Sequence, residues 1–329
     1  MRGRRTLQSL ALAVVSFFVA LGLAEAGFRI LSARGVLSAE EIWRAQNEGA
    51  ACQEEQVAIG ELRFSEEPIP AHATDVKRLL FLGDSFTVGW GLAERKERFT
   101  DLVEETLDTE LRSRGHGGLH VFNASVGGTN PLQWASYLET LLPAFEPDAV
   151  VAVFFLRSGT TLATSLVANR QHIEPIRARY AAKPFYGTSA LATFFWNRLA
   201  WRDYTDFFKQ KMQDSYLGSG QERLMWLIQR RYLLAIANSC KTENIPFHMV
   251  IFPLLFDLDH YEFLEVEAEI ERFAAGHEIP AYSLTPGFLG RIDHEFWVAN
   301  NDQHPNAEGH RIAAETLLPY LRSRVLHLE

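Results

Sequence analysis

From residue 77 onward, short apolar runs alternate with longer segments of helical periodicity, and this alternation is the strongest constraint on the fold. The strand-like runs are "RLLFLG" (78–83), "LHVFNA" (119–124), "DAVVAVFFL" (148–156), "PFHMVIF" (246–252) and "IPAYSL" (279–284). Helical periodicity occupies 98–115, 131–145, 261–276 and 306–325. Nearly continuous apolar strands separated by helices predict an α/β domain with a parallel sheet flanked by helices. In such sheets ligands bind beyond the carboxyl ends of the strands.

The interval 160–245 interrupts this alternation. It contains aromatic-rich sequence, "FYGTSALATFFWNRLAWRDYTDFF", and a long helical pattern around 221–241. We interpret it as a helical insertion over the carboxyl edge of the sheet, placed before the last strands. Its aromatic residues are expected in core or lid packing, with a carbohydrate platform as the alternative.

The N-terminus has the pattern of an export signal. Three arginines in "MRGRR" precede a segment that carries no charge between Arg5 and Glu25. That segment is close to the roughly 20 residues that a transmembrane helix needs. We interpret residues 1–30 as an uncleaved signal anchor, with "AEA" at 24–26 as the cleavage site in the alternative of a secreted protein. The arginines predict that the rest of the chain faces the extracytoplasmic side.

Two further segments complete the predicted organisation. Residues 31–76 are mixed and acidic and are interpreted as a stem or loosely packed lead-in that ends near Pro68 and Pro70. Residues 77–329 form the predicted α/β domain, with the insertion inside it.

Composition argues against some classes of partner and cofactor. The net charge is -9, with no basic stripe beyond the N-terminus, and this argues against nucleic acid. Cys52 and Cys240 lie in neither a CxxC motif nor a Cys/His cluster, so no metal site is predicted from them. The two thiols either form one disulfide or stay unpaired.

Two polar patterns are candidates for chemistry. Ser85 in "LGDSF" follows a buried strand, where it is either the cap of the next helix or a nucleophile. Asp302 precedes His304 by two residues, just before the last helix. A serine nucleophile needs a base, and the base needs a carboxylate that fixes its tautomer. Taken alone, Ser85 is better explained as a helix cap, and His304 as a solvated loop histidine beside an acid.

Taken together, the patterns resemble the SGNH (GDSL) hydrolase family, of a membrane-anchored bacterial type. The resemblance depends on Gly83-Asp84-Ser85-Phe86, on "NASVGG" at 123–128, and on Asp302 and His304 followed by Pro305 and Asn306. It covers roughly residues 77–325 apart from the insertion. It implies a three-layer, flavodoxin-like fold and no metal or organic cofactor. It also implies that Ser85 is the nucleophile, His304 the base and Asp302 its orienting acid.

The resemblance also implies an oxyanion hole formed by the backbone N–H groups of Ser85 and Gly128. The family's third block normally contributes an Asn, whereas this chain has "FFLRSGTTL" at 154–162. Ser158, Thr160 and Asn130 are the candidate replacements for that donor. Arg157, in the same turn, is interpreted as a surface arginine rather than a ligand for an anionic substrate.

The resulting hypothesis is an extracytoplasmic serine esterase that acts on an ester or an acylated carbohydrate through an acyl-enzyme. O-acetyl groups on envelope carbohydrate are the candidate substrate. The alternatives are a polysaccharide O-acetyltransferase, in which a sugar hydroxyl intercepts the acyl-enzyme, and a catalytically silent binding module with the same fold.

Overall fold

The computed structural model describes residues 2–34, 56–71, 73, 75–162, 170–299 and 302–328. The helices are α1 Arg2–Ala33, α2 Ser85–Val88, α3 Phe99–Ser113, α4 Pro131–Phe145, α5 Arg170–Ala181, α6 Ala190–Leu217, α7 Leu224–Thr242, α8 Leu264–Ala275 and α9 Ala307–Tyr320. The strands are β1 Val57–Ile59, β2 Leu62–Phe64, β3 Lys77–Leu82, β4 Leu119–Asn123, β5 Ala149–Phe155, β6 Phe247–Phe252, β7 Ala281–Ser283, β8 Trp297–Ala299 and β9 Asp302–Pro305.

The chain divides into two compact units. One contains Met1–Ala45 and Ser165–Phe208, and the other contains Gln46–Thr164 and Lys209–Glu329. The predicted insertion at 160–245 therefore contributes to both units, and its role over the sheet edge stays a prediction.

The second unit is organised around a five-stranded sheet in the order β4-β3-β5-β6-β7, in which all neighbours are parallel. This is the flavodoxin-like strand order, and it confirms the predicted fold class. The five strand-like runs of the sequence supply its five strands. In β5 and β6 every residue is buried, which explains why their sequences are apolar without alternation.

Helices cover both faces of this sheet. Phe154 of β5 contacts Trp226 of α7, while the next residue, Phe155, stacks on Phe86 of α2. Because consecutive residues on a strand point to opposite faces, these two contacts lie on opposite sides of the sheet. Helix α3 packs against α9, and α4 packs against α7.

The lead-in at 56–71 differs from the loosely packed stem that the sequence suggested. Strands β1 and β2 pair as an antiparallel hairpin. Phe64 at the end of β2 is 1% exposed, and its ring meets those of Phe122 and Tyr137. Just beyond it, the Glu66 carboxylate accepts a hydrogen bond from buried Arg98 at 2.6 Å. The sequence did not predict this packing, because the segment is acidic and only one face of β1 and β2 is apolar. Residues 35–55 of the predicted stem, including Cys52, lie outside the described residues.

The first unit contains α1, α5 and the first part of α6. Helix α1 continues through "GFRIL" to Ala33. No residue of its stretch Leu12–Leu31 is buried, and the stretch is long and apolar enough to cross a membrane, a property that signal sequences share. Helices α5 and α6 pack through Ile173, Ile176, Ala200 and Tyr204.

Cys240 is buried in α7, and burial raises the pKa of its thiol to about 12. Its pairing with Cys52 stays open because Cys52 is outside the described residues.

We expect Phe64→Ala to lower the free energy of unfolding by about 3–5 kcal/mol, because it opens a cavity against Phe122 and Tyr137. Denaturant titration followed by tryptophan fluorescence measures the change. Arg63→Ala, at the neighbouring exposed position, is the matched control and should change stability by less than about 0.5 kcal/mol. Equal stability of the two variants would show that the hairpin is a loose stem.

Candidate active site

Ser85 lies at the carboxyl end of β3, at the start of a single helical turn. The turn α2 begins after Asp84, whose carboxylate caps it by accepting a hydrogen bond from the Phe86 N–H at 2.9 Å. It ends at Gly89, which has a left-handed backbone with φ 78°. The cap is therefore Asp84, and the Ser85 hydroxyl is left for another partner.

The chain approaches itself closely at this turn. A Cβ added at Gly83 would overlap the side chain of Thr87 and lie 2.9 Å from Ser125 Oγ. The absence of a side chain at Gly83 thus allows the strand end, the helical turn and the segment after β4 to pack together.

His304 meets Ser85 from the other end of the sequence. Its Nε2 lies 2.9 Å from Ser85 Oγ, and its Nδ1 lies 2.5 Å from Asp302 Oδ1. The His304 backbone N–H also donates to Asp302 Oδ1, at 3.1 Å. With the Nδ1 proton directed at the carboxylate, Nε2 is left to accept the Ser85 proton.

The strand β9 explains why a spacing of two residues works for this pair. Residues i and i+2 of a strand point to the same face, so Asp302 and His304 can meet side by side. Asn301, one residue before Asp302, lies outside the described residues.

Burial opposes ionisation of Asp302, but the hydrogen bond and charge of His304 and the charge of Arg157 outweigh it, and the pKa of Asp302 lies below its usual value. Asp302 is therefore ionised across the neutral range, and it can stabilise a positive charge on His304.

Aromatic rings line one side of the Ser85–His304 contact. The Phe86 ring centroid lies 5.3 Å from that of His304, and the Trp90 ring lies at 6.1 Å. Phe86 itself stacks on Phe155 at 3.7 Å. These apolar neighbours keep water from the imidazole on that side and strengthen its hydrogen bonds.

The segment after β4 is tied to the serine turn. The Val126 N–H and the Thr129 hydroxyl both donate to the Gly83 carbonyl, at 3.3 and 3.1 Å. A Cβ built on Gly127 would lie 3.8 Å from Ser85 Cβ, so this turn contacts the serine. Gly128 follows with φ 78°, a left-handed conformation that favours glycine.

At this junction the backbone N–H groups of Ser85 and Gly128 have no protein acceptor among the described hydrogen bonds. Gly128 is exposed, and Ser85 is 4% exposed. A buried N–H without a partner is uncommon, and in a hydrolase it is the arrangement that receives an oxyanion.

Of the three candidates for the third oxyanion donor, the two hydroxyl groups donate elsewhere, and Asn130 is a helix cap through its Oδ1. Ser158 Oγ donates to Asp84 Oδ2 at 3.2 Å, and Thr160 Oγ1 donates to the Arg157 carbonyl at 2.9 Å. Asn130 caps α4, accepting the Leu132 N–H at 3.0 Å. None of the three has Ser85 as a hydrogen-bond partner among the described residues.

Sequence reasoning missed the role of two charged residues in this site. Arg157 is 7% exposed, so its interpretation as a surface arginine is wrong. Its positive charge lowers the pKa values of both Asp84 and Asp302. Burial nevertheless raises the pKa of Asp84 to about 6, against the Phe86 N–H, His304 and the Ser158 hydroxyl, which lower it. The apolar run that precedes "RSG" could have predicted the burial of Arg157, since it places this turn at the end of a buried strand.

Comparisons with known proteins give structural likenesses only. No protein-family model matches the sequence, and no curated protein matches it. Among solved structures, the chain resembles TesA, with 16% identity, coverage of 75% of this chain and 98% of that chain, and a TM-score of 0.43.

The acetyl xylan esterase AlAXEase is 14% identical, with coverage of 74% and 99% and a TM-score of 0.45. A lipase/acylhydrolase from Enterococcus faecalis is 12% identical, with coverage of 75% and 96% and a TM-score of 0.41. With identities and scores this low, the activity has to be argued from the residues of the site.

The raised pKa of Asp84 predicts a pH dependence of stability. The folded state holds the Asp84 proton more tightly than the unfolded state, whose value is near 3.8. The protonated Asp84 carboxyl therefore stabilises the folded state fully below pH 3.8, and this stabilisation is lost as the pH rises through about 6. We expect the stability of the wild type, relative to Asp84→Asn, to fall by up to about 3 kcal/mol between pH 4 and pH 8.

Denaturant titrations of both proteins across this range measure the effect. Asp259→Asn, at an exposed position, is the control and should follow the wild type at every pH. If the free energy of unfolding changes equally with pH in the wild type and in Asp84→Asn, the raised pKa of Asp84 is contradicted.

Proposed function

We propose that this protein is a serine esterase of the SGNH type that hydrolyses an ester through an acyl-enzyme. The observation that carries the proposal is the hydrogen-bonded series Ser85 Oγ, His304 Nε2, His304 Nδ1 and Asp302 Oδ1, with separations of 2.9 and 2.5 Å. A nucleophile, a base and an orienting acid in that order are what acyl transfer requires. A catalytically silent module would not need this alignment.

In the first half of the reaction, Ser85 Oγ attacks the ester carbonyl while His304 Nε2 takes the hydroxyl proton. Asp302 holds the imidazole and stabilises its positive charge. The N–H groups of Ser85 and Gly128 donate to the oxyanion of the tetrahedral intermediate. His304 then gives its proton to the leaving alkoxide, which breaks the ester bond and leaves the acyl group on Ser85.

In the second half, His304 removes a proton from water, which attacks the acyl-enzyme. The tetrahedral intermediate then collapses, the bond to Ser85 Oγ breaks, and His304 returns its proton to Oγ, which releases a carboxylic acid and free Ser85. Two oxyanion donors instead of three lower turnover by a factor on the order of 10²–10³ without abolishing it.

For substrate and location, we propose an acylated carbohydrate of the cell envelope and an extracytoplasmic site. Support comes from α1, which is long and apolar enough to span a membrane and carries no charge between Arg5 and Glu25. The arginines that precede it in the sequence favour an orientation with the catalytic unit outside the cytoplasm.

Ser85→Ala should abolish labelling by a fluorophosphonate probe and reduce hydrolysis of a short-chain aryl ester by a factor on the order of 10⁴–10⁶, because no other group supplies the attacking oxygen. Gel fluorescence and a spectrophotometric assay measure the two effects. Ser136→Ala, exposed on α4, is the matched control and should label and react like the wild type. Labelling that is equal in Ser85→Ala and the wild type would refute the proposal.

Asp302→Asn should lower kcat by a factor on the order of 10³–10⁴ with little change in KM, since the wrong imidazole tautomer is then favoured. Steady-state kinetics at several pH values test this. Asp259→Asn serves as the control and should keep full activity. If Asp302→Asn is as active as the control, another group orients His304.

A further inference from the structure

We infer that the loop 182–189 and the start of α6 form a lipid-binding seat beside the apolar helix α1, with Phe185 and Phe195 entering the headgroup region of the bilayer. This inference depends on the proposed membrane anchor and is independent of the proposed esterase chemistry. The lipid-binding seat is defined by residues 182–196.

Glu25 joins α1 to the amino end of α6. Its carboxylate accepts hydrogen bonds from the Ser189 hydroxyl at 2.7 Å, the Ala190 N–H at 2.8 Å and the Leu191 N–H at 3.0 Å. These are donors that a helix start otherwise leaves unpaired. Signal cleavage within "AEA" at 24–26 would remove or free this carboxylate, so the contact argues that α1 is retained.

Two more contacts hold the same stretch of chain beside α1. Arg29 Nη2 donates to the Thr188 carbonyl at 2.8 Å, and the Phe28 ring lies 5.1 Å from that of Phe194. Residues 188–194 therefore lie at the level of residues 25–29 along α1.

That level corresponds to the edge of a bilayer. The uncharged stretch of α1 begins after Arg5 and ends before Glu25, and at 1.5 Å per residue it extends for about 30 Å, the thickness of the hydrocarbon core. The lipid-binding seat therefore lies at the polar boundary of the membrane, where α1 leaves the bilayer.

Phe185 protrudes from a loop that is held in place. It is 72% exposed and has a left-handed backbone with φ 63°, which is rare for a bulky residue. The loop is fixed by the Tyr186 hydroxyl, which donates to Asn197 Oδ1 at 3.0 Å, and by Trp196 Nε1, which donates to the Pro184 carbonyl at 3.0 Å. A strained, exposed aromatic on a well-bonded loop points to a role outside the fold.

The surroundings have the composition of a membrane interface. Phe195 is 59% exposed on the next element, and Tyr186 and Trp196 are half-buried beside it. Residues 170–208 carry six basic and three acidic residues, although the whole chain has a net charge of -9. Aromatic residues with basic neighbours favour the headgroup layer, especially that of anionic lipids.

The test uses the full chain in vesicles of phosphatidylcholine and phosphatidylglycerol that contain nitroxide-labelled lipid. An environment-sensitive fluorophore is attached to Phe185→Cys, Phe195→Cys, Val19→Cys or Leu264→Cys, each made in a Cys52→Ser chain. Cys240 is buried, and its thiol stays unlabelled. Val19 reports on the span, and Leu264, 52% exposed, is the control in the other unit.

We expect strong lipid quenching at 19 and at least twofold more quenching at 185 and 195 than at 264. Quenching at 19 with only control-level quenching at 185 and 195 would overturn the seat and leave the anchor in place. Protection of 185 and 195 from aqueous iodide without lipid quenching would identify a protein surface instead and would also overturn it. No quenching at 19 would overturn the anchor and the seat together. Each outcome is separate from ester hydrolysis, which depends on Ser85.

Glu25→Ala tests whether the carboxylate holds the seat in place. Quenching at 185 should fall severalfold while quenching at 19 is unchanged, because the span stays and the contact to Ala190 and Leu191 is lost. The exposed Glu61→Ala is the matched control and should leave both signals unchanged. Unchanged quenching at 185 in Glu25→Ala would show that the seat does not depend on this contact.

Discussion

The parallel pairing of β3 with β4 and β5 brings the carboxyl ends of three strands to one edge of the sheet. The chain changes direction in the strand order between β3 and β5, and at such a point the loops diverge and leave a crevice. Ser85 follows β3, the Gly127-Gly128 turn follows β4, and Arg157 follows β5. Because these strands are buried on both faces, polar groups can collect only where the strands end.

Hydrogen bonds and opposite charges within the turns compensate the buried charges at that edge. Asp84 caps the turn that carries Ser85, and it also accepts the hydrogen bond of Ser158, so the first and third loops are joined through one carboxyl. Arg157 offsets the negative charge of Asp84 and Asp302 from its buried position. The Ser158 hydroxyl is thus used in a structural hydrogen bond, and the proposed oxyanion hole is formed by backbone donors.

Much of this could be predicted from residue patterns because the patterns report local physics. Nearly unbroken apolar runs identified the five parallel strands. The resemblance carried by "GDS" and "DQH" pointed to Ser85, Asp302 and His304, which lie within hydrogen-bond distance of one another in series. The patterns failed where the outcome depends on distant partners. The polar residues on the exposed face of β1 and β2 concealed the packing of Phe64 against Phe122, and the hydrogen bond of Ser158 to Asp84 has no local signal.

The sequence by itself determined the fold class and the apolar N-terminal segment, since periodicity and charge are properties of neighbouring residues. The candidate nucleophile, base and acid came from the resemblance to the SGNH hydrolases. Only the tertiary structure decided whether Ser85 caps a helix or meets a base. Its partner His304 is 219 residues away, and the cap is provided by Asp84 instead. It also decided that Glu25, which in the sequence is only the first charge after an apolar run, pairs with the start of a helix 165 residues later. Contacts over such distances depend on the packing of whole elements, and no local pattern encodes them.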